Sequence, residues 1–127
     1  MPARAHTPTY HFSKARRLLD SSEYQAVFAA PDRRISHRYY LLLARLNDGP
    51  EARLGLVVAR KNIRMASDRN RVKRVARETF RHRVGSLPRM DVLFLPRRGM
   101  DGLAPARQTR LLREAWAELD RAFQGEC

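Results

Sequence analysis

A run of closely spaced arginines and one lysine offers the strongest chemistry in the chain. Seven side chains within one short segment can bind phosphate oxygens: Arg69, Asn70, Arg71, Lys73, Arg74, Arg77 and Arg81. A guanidinium presents a planar fork of donors that fits two phosphate oxygens at once and can stack on a base. The stretch from Arg53 to Arg83 holds 11 basic and 2 acidic residues, which is +9 of the total net charge of +13. This clustering indicates a polyanionic partner such as nucleic acid.

Groups that could cut a phosphodiester bond by themselves do not form a pattern. An autonomous nuclease needs closely held carboxylates with a metal ion, or a pair of histidines. The 4 histidines show no metal-ligand spacing, Asp91 stands alone at the start of a predicted strand, and Cys127 is the single cysteine. No glycine-rich phosphate loop is present either. The sequence therefore predicts a binding protein with no catalytic residue, metal site or cofactor of its own.

The basic run is predicted to lie on one face of a helix from Asp68 to Arg83. Apolar residues recur there at helical spacing, and the basic side chains occupy the opposite arc. Ser67 or Asp68 would cap this helix and Gly85 would end it. A solvated face is the alternative interpretation, but solvated faces usually mix charges of both signs. Like charges four residues apart destabilise a helix slightly, and a bound polyanion would remove that cost.

The remaining pattern predicts a small α+β domain. Helices are expected at 21–30 and 105–123, and strands at 38–46, 53–60 and 90–95, which gives the order αββαβα. The turn at 47–50 would join the first two strands as a hairpin. We expect one domain over residues 1–127, with a flexible segment at 1–11 and a frayed end at 124–127. Its helices would pack on one side of a small, mostly antiparallel sheet.

Two aromatic residues on the first predicted helix have two possible roles. Tyr24 and Phe28 are four residues apart and therefore share one helix face. Aromatic rings beside a cationic groove stack on the bases of single-stranded nucleic acid. An aromatic pair at this spacing is nevertheless more often part of a core, and the residues alone favour that interpretation. On the strand 38–46, Tyr39, Leu41 and Leu43 should face one side and Tyr40, Leu42 and Ala44 the other, without indicating which side lines a cleft.

The ordered set of motifs resembles the protein subunit of bacterial ribonuclease P. The run RNRVKR at 69–74, followed by Arg77 and Glu78, is similar to the RNR signature of that family. Four further segments agree in order and spacing: FSKARRLLDSSEYQAVF at 12–28, LGLVVARKN at 54–62, TFR at 79–81 and RRG at 97–99. With the strand at 91–95, the resemblance covers most of the chain.

This resemblance implies a fold and a function. The fold would be ribosomal-protein-like, with the RNR helix in a left-handed βαβ crossover, although such connections are generally right-handed. The chain would be the non-catalytic protein component of a cytoplasmic endoribonuclease that removes the 5′ leader from precursor tRNA and leaves a 5′ phosphate. The catalytic centre and its Mg²⁺ would belong to the RNA subunit, while the protein aids substrate binding and metal affinity.

The resemblance also assigns two surfaces. The seven residues of the basic run would contact the catalytic RNA. A cleft between the first helix and the sheet would receive the single-stranded leader, and the residues at matching positions are Phe12, Tyr24, Phe28, Arg60 and Lys61. The family usually has Phe where Tyr24 stands, so this residue should keep a stacking face and could add a hydrogen bond.

Three other functions would explain part of the pattern. A ribosomal-protein-like RNA binder would account for the charge and fold, but not for the ordered cleft and RNR segments, and leader-dependent binding would separate the two. A DNA binder could place the basic helix in a major groove, although the segment before that helix follows a strand. A membrane-surface helix is disfavoured because the apolar stripe has few large residues besides Phe80. No apolar run reaches the roughly 20 residues of a membrane span, and no secretory signal precedes Ser13.

Overall fold

Three helices and four strands form the part of the chain that the computed structural model describes, residues 21–124. The elements in chain order are α1 Ser21–Ala29, β1 Arg33–Ser36, β2 Tyr40–Leu46, β3 Arg53–Leu56, α2 Ala66–Arg81, β4 Met90–Pro96 and α3 Pro105–Gln124, with a short 3₁₀ turn at Met100–Gly102 before α3. The expected flexible segment 1–11, Phe12 and the last three residues lie outside the described residues. Gln124, expected in the frayed end, is the last residue of α3.

The sheet is mostly antiparallel, as predicted, but its strand order corrects the expected hairpin. The order is β1-β2-β4-β3, with β2 antiparallel to both β1 and β4, and β3 parallel to β4. The strands β2 and β3 therefore never pair, because β4 lies between them. Six of the seven residues of β4 are buried, which suits a central strand, whereas β3 is short and contains Gly55. The helix α2 joins β3 to β4 and completes the predicted βαβ crossover.

The strand β1 is absent from the predicted order αββαβα, which contains three strands where residues 21–124 form four. It has only four residues, and three of them are polar. So short and polar a segment carries almost none of the β-branched or aromatic enrichment that marks strands. Pairing with β2 forms it, with Arg34 opposite Leu43 and Ile35 opposite Leu42.

Helices cover both faces of the sheet, so the expectation that all of them pack on one side is wrong. The larger core contains Tyr40, Leu42 and Ala44 of β2 together with apolar residues of α2 and α3. Leu43 and Leu93 point to the other face, where they pack against Val27 of α1. A second apolar face needs a cover, and α1 supplies it. Leu41 joins Leu43 on the α1 face as expected.

Tyr39 departs from that alternation. It precedes β2 and packs against the larger core, not beside Leu41 and Leu43. An aromatic cluster of Phe80, Phe94 and Trp116 fixes α2 and α3 in that core, with Trp116 edge-on to the other two rings at centroid distances of 5.2 and 6.0 Å. The Trp116 Nε1–H also donates to Thr79 Oγ1 at 2.8 Å. The apolar side of α2 is thereby buried, and its basic side faces outward.

Candidate nucleic-acid interface

The helix α2 begins differently from the capped helix that the sequence predicts. It starts at Ala66 after Met65, and neither Ser67 nor Asp68 caps it through a side chain. Arg69 Nη1 instead donates to the carbonyls of Ile63 and Arg64 at 3.0 and 2.9 Å, which fastens the preceding loop to the first turn. The helix ends at Arg81, before the expected terminator Gly85. The start of α2 is therefore stabilised by the long side chain of Arg69, whereas the usual capping signals are short polar side chains.

The seven residues predicted to contact RNA all lie on α2, but they divide into two groups. Three guanidiniums are already engaged within the protein: Arg69 on the loop carbonyls, Arg71 with Asp68 at 3.2 Å, and Arg81 with Glu78 at 2.6 and 2.7 Å. The hydrogen bond from Arg81 holds the pKa of the Glu78 carboxyl below its ordinary value of 4.5.

The second group makes no polar side-chain contact with residues 21–124. It consists of Lys73, Arg74 and Arg77, beside the exposed amide of Asn70. These side chains present donors along successive turns of one helix face. Because no carboxylate among residues 21–124 pairs with them, this group is the part of the basic run that is available to an external anion. We call these three cations the α2 cations.

An ion-pair network ties α1 to the opposite face of the sheet. Arg53 of β3 binds both oxygens of Asp91 on β4, at 2.8 and 2.9 Å, and also binds Glu23 of α1 at 2.8 Å. Asn47 Nδ2 donates to Asp91 as well, at 2.8 Å. The hydrogen bonds to Asp91 and, secondarily, to Glu23 raise the pKa of the Arg53 guanidinium above its usual value. The carboxylate that the sequence leaves isolated is therefore the anchor of this network, through partners 38 and 44 residues away.

The two aromatic residues of α1 have different environments. Tyr24 is half-buried, and its hydroxyl accepts a hydrogen bond from the Leu56 N–H at 3.2 Å, which confirms the added hydrogen bond expected of a tyrosine. Phe28 is 45% exposed, while its neighbour Val27 is fully buried against the sheet. Val27 thus anchors the helix, and the ring of Phe28 stays accessible.

Three loops meet at one end of the sheet. The registers that place Leu56 beside Phe94, Tyr40 beside Pro96 and Ser36 beside Leu41 put the last residues of β3, β4 and β1 at the same end of the sheet. Arg60 and Lys61 are exposed in the loop after β3. Tyr24 reaches the last residue of β3 through its hydrogen bond to Leu56, four residues before Arg60.

A cavity of about 630 Å³ lies between the loops after β3 and β4, and we call it the loop cavity. Three cations without partners among residues 21–124 line it, Lys61, Arg64 and Arg98, against a single carboxylate from Asp101. Asn62 Nδ2 donates to the Pro96 carbonyl at 3.2 Å and holds the two loops together. The sequence prediction missed Arg64 and Arg98 as site residues, because only the parallel pairing of β3 and β4 places them side by side.

Between residues 21 and 124, no three His, Cys, Asp or Glu side chains are grouped closely enough to hold a metal ion. No helix in that range combines the length and apolar character required to cross a membrane.

Comparisons with known proteins agree with this architecture. A family model described as ribonuclease P matches residues 12–120. The ribonuclease P protein component of Saccharophagus degradans is 43% identical over 107 residues, which is 84% of this chain and 79% of the relative. That of Chromohalobacter salexigens is 41% identical over 110 residues, covering 87% of this chain and 86% of the relative.

Solved structures show the same fold. The ribonuclease P protein of Staphylococcus aureus has a TM-score of 0.74 at 22% identity, covering 84% of this chain and 99% of the other. That of Thermotoga maritima has a TM-score of 0.64 at 28% identity, covering 77% of this chain and 96% of the other. The match of the family model over most of the chain, the relatives of about 40% identity and the shared fold together show that this chain belongs to the ribonuclease P protein family.

Proposed function

We propose that this chain is the RNA-binding, non-catalytic subunit of a cytoplasmic ribonuclease P that removes the 5′ leader from precursor tRNA by endonucleolytic hydrolysis. One observation carries the proposal: two groups of cations, unpaired within residues 21–124, lie on different parts of the fold, one on the face of α2 and one at the loops after β3 and β4. The α2 cations form one group, and Lys61, Arg64 and Arg98 of the loop cavity form the other. A protein that binds two RNA molecules at once needs two such surfaces.

The α2 cations are proposed to bind the catalytic RNA. Their face points away from the core formed by Phe80 and Trp116, so a folded RNA can approach it without disturbing the packing. Lys73 and Arg77 are one helical turn apart, and binding along a phosphate backbone would relieve their mutual repulsion and release counterions. Arg69 and Arg71 contribute differently, because their internal bonds keep the loop and first turn in place.

The precursor leader is proposed to follow the β3 edge. Phe28 offers an exposed ring for base stacking, which tolerates any base and so suits leaders of varied sequence. Beyond β3, Arg60 and the loop cavity supply donors for the phosphates. Phe12, at the matching family position, is proposed to add a second ring. We place the Mg²⁺ and the cleavage chemistry on the RNA subunit, while the protein binds and orients the leader.

Cleavage of precursor tRNA by a bacterial ribonuclease P RNA at low Mg²⁺ tests the proposal as a whole. Adding the chain should restore correct 5′ maturation. Binding without restored cleavage would show that a different RNA subunit is required, which a cognate RNA from the same source would settle. If the chain neither binds the RNA nor restores cleavage, the proposal fails, and a general RNA-binding role becomes the better account.

The assignment of the α2 face is tested by the double variant Arg74→Ala/Arg77→Ala. Its affinity for the catalytic RNA should fall, and the slope of log affinity against log salt should flatten by about 0.9 for each duplex phosphate that is no longer neutralised. The matched control is Arg113→Ala/Arg121→Ala, which removes two exposed arginines from α3. Equal slopes for the two variants would remove α2 from the interface.

A further inference from the structure

A second groove lies at the β1 edge of the sheet, remote from β3, and we call it the α3 groove. It has a volume of about 420 Å³ and is lined by His37, Arg107, Arg110, Leu111 and Glu114. His37 belongs to the turn between β1 and β2, and the other residues lie on the first half of α3. The sequence prediction assigned none of these residues to a site, and they lie outside both surfaces described above.

The two arginines of this groove are available to an external anion. Arg107 and Arg110 lie one turn apart on α3, and neither guanidinium has a hydrogen-bond or ion-pair partner among residues 21–124. Glu114 stands four residues after Arg110, the usual spacing of a helical ion pair, yet the two form none. Two cations face one carboxylate here, so the lining has a positive balance.

His37 is held in a fixed orientation on the other wall of the groove. Its Nδ1 accepts a hydrogen bond from the Tyr39 N–H at 3.1 Å, so the neutral ring carries its hydrogen on Nε2 and can donate from there. The ring stacks on Tyr40 with centroids 4.5 Å apart and planes 2° from parallel. Arg97 Nη1 donates to the His37 carbonyl at 2.7 Å and to Ser36 Oγ at 3.0 Å, which fixes the turn itself.

The α3 groove is connected to the loop cavity by the loop after β4. Arg98 and Gly99 line the loop cavity, and Gly99 lies against Tyr39, two residues after His37. Gly99 has a φ of 96°, and a side chain there would meet the Tyr39 ring at 3.1 Å, so this close approach requires glycine. Arg38 lies over the same ring at 5.4 Å. Arg38, and Arg98 next to Gly99, therefore belong to the segments that meet at the Tyr39 ring, between the loop cavity and the turn that carries His37.

We propose that the α3 groove binds RNA phosphates through Arg107, Arg110 and His37, as a continuation of the path that begins in the loop cavity. The inference rests on the proposed function for the identity of the polyanion. Phosphodiester groups are the shared chemistry, and they come either from leader nucleotides beyond those held at the β3 edge or from the catalytic RNA. A single strand crossing the same end of the sheet would meet donors in both cavities.

The test uses the reconstituted holoenzyme with the double variant Arg107→Ala/Arg110→Ala. Affinity is measured at several salt concentrations for mature tRNA and for precursors with a very short and a long leader. The control is Arg113→Ala/Arg121→Ala, which removes the same charge from the same helix outside the groove. Cooperative unfolding with melting temperatures no lower than that of the parent establishes that both variants are folded.

We expect the Arg107/Arg110 variant to bind several-fold more weakly than the control. Its salt slope should fall by about 0.7 for each single-strand phosphate that the replaced side chains no longer bind. An effect confined to the long leader assigns the phosphates to the leader. An equal effect for all substrates, together with weaker binding of the RNA subunit, assigns them to the catalytic RNA. Either result supports the proposal that the α3 groove binds RNA phosphates.

The variant Lys61→Ala/Arg64→Ala/Arg98→Ala separates failure of this inference from failure of the proposed function. If it weakens leader-dependent binding while Arg107→Ala/Arg110→Ala behaves like the control, the α3 groove is not an RNA site and the proposed function stands. If neither variant changes the affinity of any substrate or of the RNA subunit, both the inference and the leader assignment are overturned.

Discussion

Tyr24 and Phe28 lie one turn apart on α1, but one side chain is bonded to the sheet and the other is exposed. The hydroxyl of Tyr24 accepts the outward N–H of Leu56 at the edge of the sheet, while Phe28 leaves nearly half of its side chain exposed. An unpaired N–H on an edge strand is open to pairing with another chain, and Tyr24 covers this one. The hydrogen bond thereby holds the ring of Tyr24 in place. The ring of Phe28 is fixed only through its own backbone in α1.

Replacing Tyr24 with Phe should separate the hydroxyl from the ring. Removing the bond to Leu56 should lower the free energy of unfolding by about 1 kcal/mol. The preference for precursor over mature tRNA should stay unchanged, because the stacking face is retained. Urea unfolding and substrate affinity measure the two effects, with Phe28→Ala as the contrasting variant that weakens leader binding. A diminished leader preference in Tyr24→Phe would show that the hydroxyl itself contacts RNA.

Tyr40 gives the molecule a defined sensitivity to alkaline pH. Burial, and secondarily the nearby Glu118 and Glu114, raises the pKa of the Tyr40 phenol from 10.0 to about 12. The unfolded chain releases this proton near pH 10, while the folded chain keeps it until about pH 12. The contribution of the protonated Tyr40 phenol to the free energy of unfolding is thus fully present below pH 10 and is lost as the pH rises toward 12.

The comparison of the parent chain with Tyr40→Phe isolates that contribution. Between pH 10 and 12 the parent should lose about 2 kcal/mol more of unfolding free energy than the variant, since one pKa unit corresponds to about 1.4 kcal/mol. Chemical denaturation at each pH supplies the measurement, and other titrating groups cancel in the difference. Parallel pH profiles would mean that the Tyr40 phenol ionises normally in the folded protein.

The strands and helices depend on interactions between segments far apart in the chain. The docking of α1 rests on Val27, which packs against Leu43 and Leu93, and on Arg53, which joins Glu23 of the helix to Asp91 of β4. Since α1 buries only one residue completely, the ion pairs matter more here than in the larger core. The position of α1 over the sheet is therefore coupled to the charge of Asp91.

Asp91→Asn should loosen α1 without unfolding the core. An amide has one acceptor oxygen, so it can accept only some of the hydrogen bonds that Arg53 and Asn47 donate to the carboxylate. We therefore expect the free energy of unfolding to fall by about 2 kcal/mol. Hydrogen exchange should accelerate in α1 more than in α2 or α3, because α1 alone depends on this network. Asp48→Asn in an exposed turn is the control. Uniform acceleration across all three helices would contradict a local role.

At the scale of the whole molecule, charge collects at one end of the sheet. The loops after β3 and β4, the turn between β1 and β2 and the start of α3 all meet there, bringing exposed basic residues into one region. With a net charge of +13, self-repulsion opposes the compact state. The melting temperature of the free protein should therefore rise when salt screens this repulsion.

Thermal unfolding over a range of NaCl concentrations tests this repulsion. Screening that recovers about 1 kcal/mol would raise the melting temperature by roughly 4 °C for a domain of this size. Arg74→Ala/Arg77→Ala should melt higher than the parent at low salt and gain less from added salt. A melting temperature that falls with salt would show instead that ion pairs such as Arg53–Asp91 outweigh the repulsion.

Local pattern accounts for the elements that were predicted well. The apolar stripe from Val72 to Phe80 predicts α2 to within two residues at each end, and the apolar run at 90–95 predicts β4. Helical periodicity and side-chain alternation are properties of neighbouring residues, so they can be recognised without knowing the fold. The basic face of α2 and the RNR motif follow from the same local information, whereas Arg60 and Lys61 are assigned to a site only by the family resemblance.

Strand pairing and the side-chain contacts of the candidate site could not be predicted from local pattern and follow only from the tertiary structure. The interposition of β4 between β2 and β3, the docking of α1 on the second face and the strand β1 all depend on interactions between distant segments. So do the partners of Asp91 and the meeting of Lys61, Arg64 and Arg98 at the loop cavity. The amino-acid pattern alone is enough to predict the three helices and three of the four strands found in residues 21–124, and the family of the chain. Ion pairs between distant segments, such as Arg53 with Asp91, follow only from the tertiary structure, because they depend on distances that local pattern does not contain.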